Sequence, residues 1–137
     1  MTKPLNDRVV LITGASRGIG RQIALTAAEQ GAAVVIAAKS DTAHAKLPGT
    51  IHSVAEEVRQ RGGRALPLRL DVRDDHSIDA MMRAVESEFG RLDALVNNAG
   101  AIRLEGAADL EMKRFDLIHM INTRAVLACT KAALPLL

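Results

Sequence analysis

Thr13-Gly14-Ala15-Ser16-Arg17-Gly18-Ile19-Gly20 lies between two stretches of opposite character. Before it, Val9-Val10-Leu11-Ile12 is a continuous apolar run of strand length. After it, Ile19, Ile23, Ala24, Ala27 and Ala28 recur at helical spacing and form one apolar face. The glycines therefore occupy a turn from a strand into a helix. Such a turn presents backbone N–H groups and the positive end of a helix dipole, which suits a phosphate. Each glycine has a physical reason: Gly14 a tight turn, Gly18 close approach of a pyrophosphate, Gly20 close helix–strand packing. The spacing is G-x-x-x-G-x-G rather than G-x-G-x-x-G, so the turn alone does not decide the ligand.

The flanking sequence extends the pattern. A strand is expected over 8–13 and a helix over 18–30, with Gly31 as its stop. The apolar run 32–38 is a second strand, and Lys39 ends it. A continuous apolar strand between helices is covered on both faces, hence lies in a parallel sheet. A polar loop follows over 40–49, with Pro48-Gly49 as a turn. Thr50 can cap a helix carrying Ile51, Val54, Ala55 and Val58, which Gly62-Gly63 stops. A third strand is expected over 65–70. Pro67 cannot donate to a ladder, so this strand belongs at an edge. Asp74 or Asp75 caps a third helix with Ile78, Met81, Met82, Val85 and Phe89 on one face, ended by Gly90. A fourth strand is expected over 92–96, followed by Asn97-Asn98-Ala99-Gly100. One last helix is expected over about 110–134, and its second half is apolar nearly all round. Strand and helix alternate throughout, which predicts an α/β, Rossmann-type doubly wound parallel sheet of order 3-2-1-4.

Composition narrows the function. The 137 residues suit one domain, expected over 1–137. Only Phe89 and Phe115 are aromatic, and the net charge is +2. No stacking platform or basic patch exists for nucleic acid. No apolar run approaches membrane-spanning length, and the N-terminal eight residues have no apolar signal region. Cys129 is the only cysteine, which fits a reducing compartment and predicts a cytoplasmic location. The four histidines form no ligand pair at helical spacing, so no metal site is expected.

In a doubly wound sheet, ligands bind beyond the C-terminal strand ends. The polar residues there are Thr13, Lys39, Asp71 and Asn97-Asn98, far apart in sequence yet expected on one rim. A fold of this kind that takes NAD places an acid near the end of its second strand, to hold the ribose 2′-OH. Here Ala38-Lys39 stands in that place, and Arg17 can point to it. Two cations without an acid predict a 2′-phosphate, hence NADP rather than NAD. Asp41 is the one carboxylate whose loop could bend back.

These residues, taken together, resemble the short-chain dehydrogenases/reductases. The resemblance is carried by the glycine turn at 13–20, Asp71-Val72, Asn97-Asn98-Ala99-Gly100, and Asn122 with Pro135 after it, in family order and spacing. The segment from Ala38-Lys39-Ser40-Asp41 through Lys46-Leu47-Pro48-Gly49-Thr50-Ile51, with Ala55-Glu56-Glu57, looks like the hydroxysteroid dehydrogenase-like branch. The resemblance implies roles. Gly14, Ser16, Arg17, Gly18, Ile19 and Gly20 would hold the pyrophosphate and adenosine side. Lys39 with Arg17 would meet the 2′-phosphate. Asp71 and Val72 would border the adenine. Asn98, Ala99 and Gly100 would lie along the ribose, and Asn97 would fix the central strands. Asn122 would be the Asn of the Asn-Ser-Tyr-Lys tetrad, holding a water in the proton relay, and its amide could also bond to backbone.

The chain departs from the family in one respect: it contains no tyrosine, and the Ser and Tyr-x-x-x-Lys fall beyond Leu137. The resemblance thus implies the truncated cofactor-binding portion of an oxidoreductase acting on a small carbonyl or alcohol, without activity alone. The alternative is a non-catalytic dinucleotide-binding or interaction module. A flavodoxin-like phosphoacceptor is disfavoured because the first strand ends in Thr13 rather than an acid. Family relatives pack the last helix on a second subunit, so the resemblance also implies a homo-oligomer.

Overall fold

A computed structural model describes residues 2–44, 46 and 48–137. Ala45 and Leu47, in the expected 40–49 loop, lie outside the described residues, as does Met1 of the N-terminal stretch. The elements are β1 (Val9–Thr13), α1 (Gly18–Glu29), β2 (Ala33–Ala38), α2 (Ile51–Gln60), β3 (Arg64–Arg69), α3 (Asp75–Phe89), β4 (Ala94–Val96), α4 (Met112–His119) and α5 (Ala125–Ala133). All strands are parallel, in the order β3-β2-β1-β4. This is the order read from the alternation of apolar runs, with Pro67 on the edge strand opposite Ile36.

Side chains alternate across the sheet because the strand period is two. Val10, Ile12, Val34 and Ile36 pack beneath α1 and α2, against Ala24, Leu25, Val54 and Val58. Val9, Leu11, Val35 and Ala37 face α3 and α5, against Ile78, Met81, Val85, Cys129 and Ala133. Each fully buried Leu, Ile or Val in these two layers contributes roughly 1.5–3 kcal/mol. The central strands β1 and β2 are buried nearly throughout, which holds their C-terminal ends rigidly side by side.

Local chemistry sets the helix ends. Gly31 takes φ +100° just after α1, the left-handed stop expected of it. Thr50 and Ser53 form a reciprocal capping box on α2. Asp74 caps α3 by accepting the His76 N–H, and Gly90 ends it at φ +68°.

The last helix differs from its expected course. In place of one helix over 110–134, α4 and α5 are joined by a π-helical segment, Met120–Arg124. The wider turn carries Asn122, whose amide is pulled sideways onto the backbone of Ala101. An apolar surface all round a helix calls for cover on more than one face, and the second half is covered on one only. Ala125, Cys129 and Ala133 meet the sheet layer, whereas Leu127 is 64% and Leu134 60% exposed. No helix among the described residues is long and apolar enough to cross a membrane.

Candidate functional site

The glycine turn after β1 is shaped from within the chain. Gly14 takes φ +65° and Gly18 φ +59°, the left-handed region that strains other residues. A Cβ on Gly14 would stand 2.9 Å from the Ala99 Cα, and one on Gly20 would overlap the Gly14 carbonyl oxygen. Packing therefore demands Gly14 and Gly20. Gly18 is different, since a Cβ there would meet nothing within 4 Å. Beside it, the N–H groups of Arg17, Gly18 and Ile19 have no acceptor among the described residues. The Ile19 side chain is 75% exposed, so this residue offers its backbone rather than its side chain.

Thr13 and Asn98 join the turn to the loop after β4. The buried Thr13 Oγ1 accepts the N–H groups of Asn98 at 3.1 Å and Ala99 at 3.0 Å. Asn98 Nδ2 donates in return to the carbonyls of Thr13 at 3.1 Å and Gly14 at 3.2 Å. The bracing of the central strands expected of Asn97 thus falls to Asn98. Asn97 instead donates to Thr130 Oγ1 on α5, at 3.3 Å. Strand alternation is the cause: consecutive residues leave the end of β4 toward opposite sides.

A cleft of about 440 Å³ opens at the C-terminal strand ends. Gly14, Ser16 and Arg17 line one wall, Lys39 and Ser40 the second. Asp71, Val72 and Arg73 line the third, and Asn98, Ala99 and Gly100 the fourth. Nine of the sequence-derived site residues meet here. Gly18, Ile19, Gly20 and Asn122 do not line the cleft. Asn122 stands behind Gly100, where it accepts the Ala101 N–H at 2.8 Å and donates to the Ala101 carbonyl at 2.7 Å.

The cleft is cationic on its β2 side. Arg17 Nη2 donates to Ser40 Oγ at 2.7 Å, while its Nε is buried with no partner among the described residues. Asp41, the carboxylate that could have turned toward the ribose, pairs with Arg69 at 3.7 Å. Lys39 Nζ stands 3.9 Å from Asp71 Oδ2, close enough for attraction and too far for a hydrogen bond.

Arg73 is the charged site residue that sequence reasoning missed; Ser40, Leu117 and Ile121 also line the cleft without having been expected there. The Arg73 Nε and backbone N–H both reach Asp71 Oδ1 at 3.0 Å, and its Nη2 reaches Oδ2 at 2.9 Å. Hydrogen bonding from Arg73 holds the Asp71 carboxyl down at about 2, with Lys39 a smaller influence. Two residues from Asp71 in a loop, Arg73 reads in sequence as a solvated charge. The available signal was the spacing D-x-R, which lets a backbone N–H and a guanidinium fork serve one carboxylate.

The donor set fits a phosphorylated dinucleotide. It offers unpaired N–H groups at a helix start, an open glycine, an unpartnered buried guanidinium nitrogen and the Lys39 ammonium, whose one ion pair, to Asp71, is at 3.9 Å. Among the described residues no group of three His, Cys, Asp or Glu side chains could hold a metal ion.

Known proteins share much of this sequence and its fold. Hydroxysteroid dehydrogenase-like protein 2 from Bos taurus is 50% identical over 136 residues, covering 99% of this chain and 32% of that protein. The chain thus spans about a third of the length of the curated relative it matches. A crystal structure from Xanthomonas campestris superposes with a TM-score of 0.94 at 50% identity, over 98% of this chain and 50% of that one. A short chain dehydrogenase from Mycobacterium thermoresistibile gives a TM-score of 0.92 at 41% identity, over 96% of this chain and 47% of that one. The family profile described as short chain dehydrogenase matches residues 8–137, from the start of β1 through the glycine turn, the cleft and Asn122. With that match spanning nearly the whole chain, and with the sheet order and strand-end cleft to go with it, this protein belongs to the short chain dehydrogenase family.

Proposed function

We propose that residues 1–137 form a single NADP-binding domain of a cytoplasmic oxidoreductase that acts on a small carbonyl or alcohol. The family takes nicotinamide dinucleotides in general. The choice of NADP rests on one observation: Lys39 directly follows the end of β2 at Ala38, and the nearest loop acid, Asp41, stands 3.7 Å from Arg69 and does not line the cleft. Among the described residues the cleft is lined by one carboxylate, Asp71, which Arg73 holds through both oxygens, while Lys39 and Arg17 face the same cleft as partners for a phosphate.

When bound, the cofactor supplies the hydride exchanged with the carbonyl carbon. The chain's own residues bind and orient it. The N–H groups of Arg17, Gly18 and Ile19 would hold the pyrophosphate, with Gly14 and Gly20 keeping the turn tight and Ser16 on the cleft wall. Asp71 and Val72 would border the adenine, and Asn98, Ala99 and Gly100 would lie along the ribose. Asn122 uses one N–H and one carbonyl lone pair on Ala101 and keeps one of each. That supports its place as the amide that would hold a water for proton relay. Tyrosine, the family's proton donor, does not occur among the 137 residues, so binding rather than turnover is the activity to measure.

Calorimetry with NADPH and NADH tests the proposal. NADPH is expected to bind more tightly, by roughly 10–100-fold for one or two charge-assisted contacts. Lys39→Asp is expected to reverse the preference, because it removes a phosphate partner and adds a 2′-OH acceptor. Equal affinities before and after the change overturn the NADP reading.

A further inference from the structure

We propose that Arg73 is a specificity-positioning residue: it occupies the Asp71 carboxylate and so leaves the Lys39 ammonium available to an anion. This rests on the NADP reading above. The rim holds a carboxylate and two cations in one small space, and the pairing among them decides what a ligand meets. Asp71 lies between Lys39 and Arg73, with its side chain only 22% exposed. A carboxylate in that position could claim either cation.

The geometry shows which cation it takes. Three N–H donors of Arg73 converge on Asp71, at 2.9–3.0 Å, and together they serve both carboxylate oxygens. Lys39 is left at 3.9 Å, and its ammonium has no hydrogen-bond acceptor among the described residues. The guanidinium wins this competition because its planar fork matches two oxygens at once, and because the Arg73 backbone N–H adds a third bond from the same residue. The Asp71 N–H is itself tied to Ser77 Oγ at 3.0 Å, which fixes the carboxylate where the fork can reach it.

Removing the fork changes the rim in two ways. The trio Lys39, Asp71 and Arg73 carries a net charge of +1, and without Arg73 it carries none. Lys39 has a flexible four-carbon stem and is already 3.9 Å away, so it would close onto the unpaired carboxylate. An anion arriving at Lys39 would then have to break an ion pair and approach an acid. An uncharged ribose hydroxyl would meet neither obstacle. Arg73 therefore acts on discrimination between a 2′-phosphate and a 2′-OH without touching either.

The test uses adenosine 2′,5′-bisphosphate and adenosine 5′-monophosphate as probes, with Kd from calorimetry on the whole chain. The ratio of the two constants cancels effects on adenine binding. Wild-type protein is expected to favour the bisphosphate, and Arg73→Gln to lower that ratio by about tenfold. Adding Asp71→Asn to Arg73→Gln is expected to restore the ratio, because no carboxylate remains to capture Lys39. Asp71→Asn alone keeps the ratio at or above the wild-type value, and this arm stands even if Arg73→Gln fails to fold. An unchanged ratio in Arg73→Gln, or a fall in Asp71→Asn, overturns the proposal. A double variant that stays low also overturns it, since Arg73 would then be meeting the phosphate itself. A wild-type ratio near one overturns the NADP reading, and this proposal with it, which separates that failure from a failure confined to Arg73.

Discussion

Thr13 and Asn98 hold each other twice, once through the backbone of each. The Thr13 hydroxyl accepts the Asn98 N–H, and the Asn98 amide donates to the Thr13 carbonyl, both at 3.1 Å. The same hydroxyl also takes the Ala99 N–H and is directed at the Val96 carbonyl. One buried side chain thus anchors the loop after β4 to the end of β1, the junction where the cleft opens. Thr13→Val keeps the shape and removes the hydroxyl. Two N–H groups then lose their acceptor, at a cost of about 1–3 kcal/mol. Urea unfolding should show a lower midpoint for Thr13→Val and a smaller change for Thr13→Ser. Equal midpoints for Thr13→Val and wild type contradict this.

Asp93 ties the entry of β4 to β1. It accepts the Val9 N–H at 2.8 Å and pairs with Arg8 and Arg91. Hydrogen bonding from Arg91 is the largest influence holding its carboxyl down at about 2. An unfolded Asp titrates near 3.9. The folded value is the lower one, so the stabilisation is fully present above the unfolded value and is lost as pH falls through about 2. After allowance for solvent screening the contribution is about 1 kcal/mol. Asp93→Asn should therefore reduce stability at pH 7 and leave it nearly unchanged at pH 2. A pH-independent difference between variant and wild type rules out this account.

Asn122 makes two bonds to one residue, the N–H and the carbonyl of Ala101. They coincide with the π segment, whose extra residue per turn carries the amide out to that partner. Asn122→Ala removes both bonds, each worth roughly 1 kcal/mol. Hydrogen exchange at the Ala101 amide should then accelerate, with little change in the core strands. Protection at Ala101 equal to that in the wild type would show that the loop is held by other contacts.

What was legible in the sequence was what depends on local pattern. Apolar runs located the four strands, and Pro67 correctly put β3 on the edge. The glycines, Thr50 and Asp74 marked their turns and caps because each is required by backbone geometry at its own position. What depends on tertiary contact was not legible. The π segment carries no propensity signal and coincides with the Asn122–Ala101 contact, across 21 positions. Asn97 and Asn98 are the same residue type side by side, and only the direction in which β4 ends separates their tasks. Arg73 was hidden because a loop arginine usually serves solvent, and its claim on Asp71 is a matter of three-dimensional fit.

Two surfaces bear on association. Among the described residues β4 pairs with β1 alone, so the far side of Leu95 and Val96 offers backbone groups along an apolar strand. Such an edge favours pairing with another chain. On α5 and at its C-cap, Leu127 and Leu134 are largely exposed, and Val126 partly so. Contiguous apolar exposure of this kind marks an interface. A homo-oligomer is therefore expected, built on the outer face of α5, on the β4 edge, or on both. Light scattering over a dilution series should give a mass above that of one chain, falling toward the monomer at low concentration. Leu127→Lys with Leu134→Lys places charge on α5 and leaves the buried Ala125, Cys129 and Ala133 untouched. If α5 is the contact, the double variant shifts the series to the monomeric mass. If the edge is the contact, the mass stays high, and a lysine at Val96 becomes the variant that lowers it. A wild-type chain that is monomeric at every concentration, with a cooperative melt, shows that both surfaces are tolerated in water and defeats the prediction.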